Sequence, residues 1–138
     1  KAIERSEALM VFLREGLAPP PVAERPLTEE EERGKEVFEH EDVGCAGCHV
    51  PRSEYTNRVA VGLGPWVVDE RHFIPEPDDD WKFKTPSLRF VGGTPPYYHD
   101  GSQPTLEALI DSNGTRMGHT KQLSAADRKA LVAFLKTL

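Results

Sequence analysis

Cys45-Ala46-Gly47-Cys48-His49 decides how the rest of this 138-residue chain is read. Two cysteines separated by two residues and followed at once by histidine form the pattern of a c-type haem attachment site. The spacing has a mechanical basis. Two thiols three positions apart reach both vinyl groups of one porphyrin edge as thioethers, and the next imidazole then sits under the ring as a proximal iron ligand. Small Ala46 and Gly47 let the backbone lie against that edge. A dithiol redox pair wants a βαβ setting, and a zinc site wants further ligands at matching spacing. With 2 cysteines in all, the chain offers neither. One covalent haem c is the expected cofactor, held by Cys45, Cys48 and His49.

The composition fits that reading. Hydrophobic residues make up 38% of the chain, which also carries 11 Gly and 12 Pro. Such a chain fills a core poorly by itself, and a buried porphyrin would supply much of the missing apolar volume. The net charge of −6 argues against nucleic acid and permits docking to a basic redox partner. No segment reads as a membrane span. No signal peptide is visible and the chain starts at Lys1, which leads to the expectation of a processed or truncated product.

Outward from the motif, the chain divides into residues 1–26, a helix and Pro-rich linker, and residues 27–138, the haem domain. Residues 3–15 carry Ile3, Leu9, Met10, Phe12 and Leu13 near helical spacing, and Pro19, Pro20 and Pro21 follow as an extended linker. That first helix has an echo. Ala8, Leu9, Phe12 and Leu13 match Ala130, Leu131, Phe134 and Leu135 at one constant offset. Either two amphipathic helices look alike, or residues 1–16 close a preceding homologous domain. Thr28 and Glu31 form a capping box for the next helix. Gly34 in that helix permits a close crossing by another helix, and Val37 and Phe38 are expected on the haem side. From Val50 to Pro104 periodicity is poor, so a long loop with at most a short helix or strand pair is expected to wrap the haem. Within it, Glu76 and Asp78 to Asp80 read as an exposed acidic turn. A helix over Thr105–Asp111 is broken by Asn113-Gly114, and Ser124 caps the last helix.

The sixth position on iron has several candidates: Met10, Met117, His40, His72, His99 and His119. Met117 has the best context, because it lies in Gly114-Thr115-Arg116-Met117-Gly118, an irregular loop ahead of the last helix. A loop methionine flanked by glycine has little packing reason to be there. With His and Met the potential is raised, which suits electron transfer; peroxide activation needs a vacant position and acid–base help. Trp66 and Trp81 read as packing residues or as steps on an electron route.

Residues 84–110, including Thr85-Pro86-Ser87-Leu88-Arg89 and Pro96-Tyr97-Tyr98-His99-Asp100-Gly101, resemble the bacterial di-haem cytochrome c peroxidase family, which includes the enzyme that matures methylamine dehydrogenase. The order of the surrounding elements fits the C-terminal haem domain of that family over residues 27–138. The resemblance implies an all-α, class I cytochrome c-like domain of few helices wrapped with long loops around one haem. It implies His49 and Met117 as axial ligands, Arg89 near the haem propionates, and carbonyls of Thr94 and Pro96 at a calcium ion between two haem domains. His99 and Asp100 read as a hydrogen-bonded pair or as turn residues before Gly101. The resemblance further implies a periplasmic or otherwise exported protein, a small redox donor protein, and a second haem domain as partner. One attachment motif means one haem in this chain. The expected function is electron transfer within a peroxidase-like protein. A haem peroxidase with an exchangeable ligand and a haem sensor module are the alternatives.

Overall fold

The computed structural model describes residues 2–16, 25–62 and 82–138. Trp66, His72, Glu76, Asp78 to Asp80, Trp81 and the prolines of the linker lie outside the described residues. In chain order the elements are α1 (Ala2–Val11), α2 (Glu29–Glu39), α3 (Cys45–Cys48), β1 (Ala60–Gly62), β2 (Lys82–Lys84), α4 (Leu106–Asn113) and α5 (Ala125–Leu135). A π-helical turn, Phe12–Gly16, closes α1.

The packing centre is the crossing of α2 and α5. The start of α2 is fixed by a capping box: the Glu31 N–H donates to Thr28 Oγ1 at 3.3 Å, and the Thr28 N–H donates to Glu31 Oε2 at 2.8 Å. Arg25 adds a planar fork onto the same carboxylate at 2.7 and 2.6 Å. The Arg25 hydrogen bond, followed by the Thr28 N–H, holds the Glu31 carboxyl down at about 2. One turn on, Gly34 meets α5 backbone to backbone. A Cβ there would lie 1.9 Å from the Ala130 carbonyl oxygen and 2.8 Å from Phe134 Cβ. Only a residue without a side chain allows this approach. The close contact carries Phe38 against Phe134, with ring centroids 5.5 Å apart. Both rings are buried, together with Leu106, Ile110, Leu131 and Leu135.

At its own start, α5 is capped by Ser124, whose Oγ accepts the Asp127 N–H at 3.1 Å. Asp127 also pairs with Arg33 of α2, so the cap and the crossing are tied together. α4 begins at Thr105, whose Oγ1 accepts the Ala108 N–H, and it ends at Gly114 as the Asn-Gly pair predicts.

The all-α expectation is corrected in one respect. Alongside the helices, β1 and β2 form a two-stranded antiparallel ladder, Val61 opposite Phe83. The Thr85 N–H, donating to the Val59 carbonyl at 3.0 Å, and Thr56 Oγ1, donating to the Thr85 carbonyl at 2.6 Å, extend it. The Asn57 N–H then reaches the Cys48 carbonyl at 2.8 Å, which sets the ladder beside α3.

α1 stands apart from this packing. Leu9 is 56% exposed, Phe12 54% and Leu13 53%, whereas their counterparts Leu131, Phe134 and Leu135 in α5 are 0%, 3% and 6% exposed. Among the described residues no helix is long and apolar enough to cross a membrane.

Candidate haem site

The attachment motif is a single helical turn. Gly44 enters it in the left-handed conformation, φ +78°, and the His49 N–H closes it on the Cys45 carbonyl at 2.9 Å. This turn buries Cys45 and leaves Cys48 half-buried. Burial pushes the Cys45 thiol up to about 11. A thiol so disfavoured as thiolate is poorly suited to redox exchange.

His49 follows directly, with its ring turned so that Nδ1 lies 2.9 Å from the Tyr55 carbonyl oxygen. That bond requires the Nδ1–H tautomer and leaves Nε2 as the lone-pair donor, the arrangement found at metal-bound histidines. Burial lowers the His49 pKa, while the carbonyls of Tyr55 and Pro86 act the other way. The neutral ring that binds a metal is therefore favoured. Glu54 and Tyr55 supply this carbonyl from a turn of two left-handed residues, φ +57° and +54°.

Cys45 and His49 open into a cavity of about 480 Å³, walled by Phe38, Leu106, Ile110 and Leu131. Met117 lines the same cavity. An adjoining pocket brings Cys48 together with Cys45, His49 and Met117. Apolar walls, a volume in the range of cofactor sites, two thiols, an imidazole and a thioether fit a covalent haem.

The Met117 loop is pinned at both ends. The Met117 N–H donates to Asn113 Oδ1 at 2.9 Å, and the His119 N–H donates to the Val43 carbonyl at 2.8 Å. Gly118 between them has φ +97°.

Of the other sixth-ligand candidates, His72 lies outside the described residues. Met10 is half exposed on α1. His40 ends α2, where its Nδ1 accepts the Asp42 N–H at 3.3 Å. His119 is exposed. None of these three lines the cavity, but His99 does, stacked on Phe83 with ring centroids 4.4 Å apart. Thr94 and Pro96 stand on the cavity wall, with Thr94 Oγ1 donating to the Val91 carbonyl at 3.2 Å.

Arg89 does not line the cavity. Its Nη1 bonds Glu54 Oε2 at 2.6 Å, over a separate pocket floored by Leu27, Tyr55 and Phe134. The turn at residues 87–91 points Leu88 and Val91 into the cavity and Arg89 away from it. The resemblance implies a propionate contact for Arg89, which here pairs with Glu54 beside that second pocket. The sequence reading also missed Tyr97, buried against the cavity with its hydroxyl donating to the Val91 carbonyl at 2.9 Å, and Lys84 at the rim. The double tyrosine was the available signal for the first; Lys84 had none.

No family model matches the chain. Its similarity to known proteins is nonetheless extensive. Over 97% of its length it is 30% identical to hydrazine synthase subunit gamma of Kuenenia stuttgartiensis, of which it spans 49%. The solved hydrazine synthase of that organism superposes with a TM-score of 0.73 at 28% identity, covering 97% of this chain and 55% of the other. Over 46% of its length the chain is 41% identical to cytochrome-c peroxidase IdrP2 of Denitromonas iodatirespirans, spanning 18% of that protein. A MauG-like protein associated with microbial copper homeostasis superposes with a TM-score of 0.65 at 29% identity, covering 84% of this chain and 48% of that one. The chain thus spans about half the length of the relatives it matches most fully.

The attachment turn, the oriented imidazole and the apolar cavity define a c-type haem redox protein, helix-rich with a small sheet. Within that class, its homologues are hydrazine synthase subunit gamma, the bacterial di-haem cytochrome c peroxidases and MauG.

Proposed function

We propose that this chain is an electron-transfer domain whose haem iron is held by His49 and Met117, and that it forms the C-terminal haem domain of a di-haem peroxidase-like protein. The observation that carries the reading is the meeting of Cys45, His49 and Met117 in one apolar cavity. When bound, haem c supplies a one-electron iron couple. The chain's own residues set its properties. The Tyr55 carbonyl orients His49 and makes its ring a better donor. The Met117 thioether raises the potential relative to a second imidazole. Phe38, Leu106, Ile110 and Leu131 would shield the bound group from water and hold the local dielectric low.

The ferric absorption spectrum of the holo-chain tests this. A weak long-wavelength sulfur–iron charge-transfer band is expected, lost in Met117→Ala together with a fall in potential. A spectrum unchanged by that substitution would falsify the assignment.

One observation favours a second reading. His99 lines the same cavity, so a peroxidase with an exchangeable ligand has a candidate acid–base group in place. Peroxide turnover by the isolated holo-chain, lost in His99→Ala, is its mark.

A second haem domain is the proposed electron partner, fed by a small redox donor protein, and the covalent haem implies export to the periplasm. Residues 1–26 are proposed to close the preceding domain. Support comes from the half-length match to relatives and from α1, whose α5-like face is uncovered. Carbonyls of Thr94 and Pro96 are the proposed contribution to a calcium ion between the domains, the ligand type that this ion takes. Calcium-dependent association with such a domain is the corresponding test.

A further inference from the structure

The last residue of α4 is an asparagine that is 2% exposed. A buried primary amide needs partners for one acceptor oxygen and two donor hydrogens. Asn113 finds them almost entirely in one place. Its Oδ1 accepts the Met117 N–H at 2.9 Å. Its Nδ2 donates to the Gly118 carbonyl at 3.1 Å and to Thr120 Oγ1 at 3.3 Å. Thr120, also buried, donates onward to the Ile110 carbonyl at 3.0 Å, which returns the network to α4. The amide orientation is dictated by its neighbours, because a backbone N–H must face the oxygen and a backbone carbonyl must face the NH₂.

These bonds bracket the peptide unit that carries the Met117 side chain, one on each side of its Cα. On the far side of the loop, the His119 N–H is bound to the Val43 carbonyl, two residues before Cys45. The loop that presents the sulfur is therefore spanned between α4 and the haem attachment segment, tied to α4 by the Asn113 side chain, by the Arg116 N–H on the Asn113 carbonyl at 3.1 Å and by the Thr120 hydroxyl.

We propose that Asn113 is the positioning residue for Met117: its amide holds the methionine backbone in register with the iron, so that the thioether stays bound rather than being displaced by external ligands. The proposal rests on Met117 being the axial ligand. Asn113 does not itself touch iron or haem; it acts through the Met117 N–H and the Gly118 carbonyl.

The test is imidazole binding to the ferric holo-chain, followed by the loss of the sulfur–iron band. In Asn113→Leu, which keeps the branched shape and removes all three side-chain bonds, the observed binding rate and affinity are expected to rise about tenfold or more, as the loss of the two neutral hydrogen bonds to the Met117 N–H and the Gly118 carbonyl would give. Ser112→Ala, an exposed change in the same helix and outside the cavity, should leave both at the wild-type value. Equal binding by wild type and Asn113→Leu would overturn the proposal, as would an equal rise in Ser112→Ala. Met117→Ala separates the two levels: if it leaves the ferric spectrum unchanged, the ligand assignment fails, whereas an altered Met117→Ala spectrum with wild-type imidazole binding in Asn113→Leu sinks the Asn113 role alone. Should Asn113→Leu not fold around haem, amide hydrogen exchange in the wild-type holo-chain decides. A Met117 N–H protected well beyond the Thr115 N–H supports the clamp, and one exchanging as fast as Thr115 overturns it.

Discussion

A Cβ placed on Gly118 would stand 2.3 Å from the carbonyl oxygen of Val43. That oxygen is already occupied by the His119 N–H, and it belongs to the segment that leads into Cys45. Gly118→Ala would therefore meet a steric contact and an unfavourable φ of +97° at once. We expect a loss of about 1–3 kcal/mol of stability, the usual scale for a strained backbone position. We also expect a weaker sulfur–iron band, because relief of the contact moves Met117. Chemical denaturation and the ferric spectrum of the holo-protein check both parts.

Gly34→Ala should be more damaging than its size suggests. The added methyl would lie 1.9 Å from the Ala130 carbonyl oxygen, and neither backbone can yield without moving a helix. Overpacking of this kind costs about 1–3 kcal/mol, and the displaced α2 takes Phe38 out of the cavity wall. Thermal unfolding reads the first effect and haem retention the second.

The two helices with matching sequence should respond oppositely to the same treatment. Leu131→Ala removes a side chain with no exposed area and should cost about 2–5 kcal/mol. Leu9→Ala, at the equivalent position in α1, should change the stability of this chain by no more than about 0.5 kcal/mol, because its side chain is 56% exposed. A large loss at Leu9 in the isolated chain would contradict the separation of α1 from the core.

Acid should loosen the start of α2 first. The folded-state pKa of Glu31 is depressed to about 2 from an ordinary 4.5, chiefly by Arg25. The unfolded chain therefore takes up this proton before the folded chain does. The contribution of the pair is fully present above about pH 4.5 and disappears as the pH falls toward 2. Stability against pH should be flatter across that window in Glu31→Gln, measured by urea unfolding at stepped pH.

Much of this architecture was legible because its signals are local. The Cys-x-x-Cys-His spacing, the Thr28–Glu31 box, the Ser124 cap and the Asn113-Gly114 break each act within one turn of chain. Gly34 was readable as a crossing point because a glycine inside a helix needs a reason. The rest depends on partners far apart in sequence. β1 and β2 are 3 residues each, too short to show a period, and they meet only across a long excursion. The propionate contact expected of Arg89 came from the resemblance; its pairing with Glu54, 35 residues earlier, had no local signal. Asn113 was read as a helix breaker, which it is. That its amide also folds back onto Met117 follows from burial, which the sequence does not state.

The crossing of α2 and α5 joins the two ends of the haem domain, and this has a consequence for the order of assembly. Leu131 and Leu135 wall the cavity, yet they are made well after Cys45 and Cys48. A chain emerging N-terminus first offers both thiols openly while that wall does not yet exist, whereas Cys45 is buried in the folded chain. Covalent capture of the porphyrin is thus easiest on the unfinished chain, with the C-terminal helix closing like a door behind it. A chain ending at Ser124 should leave Cys45 open to alkylation at the rate of an unfolded thiol, while the full apo-chain should protect it.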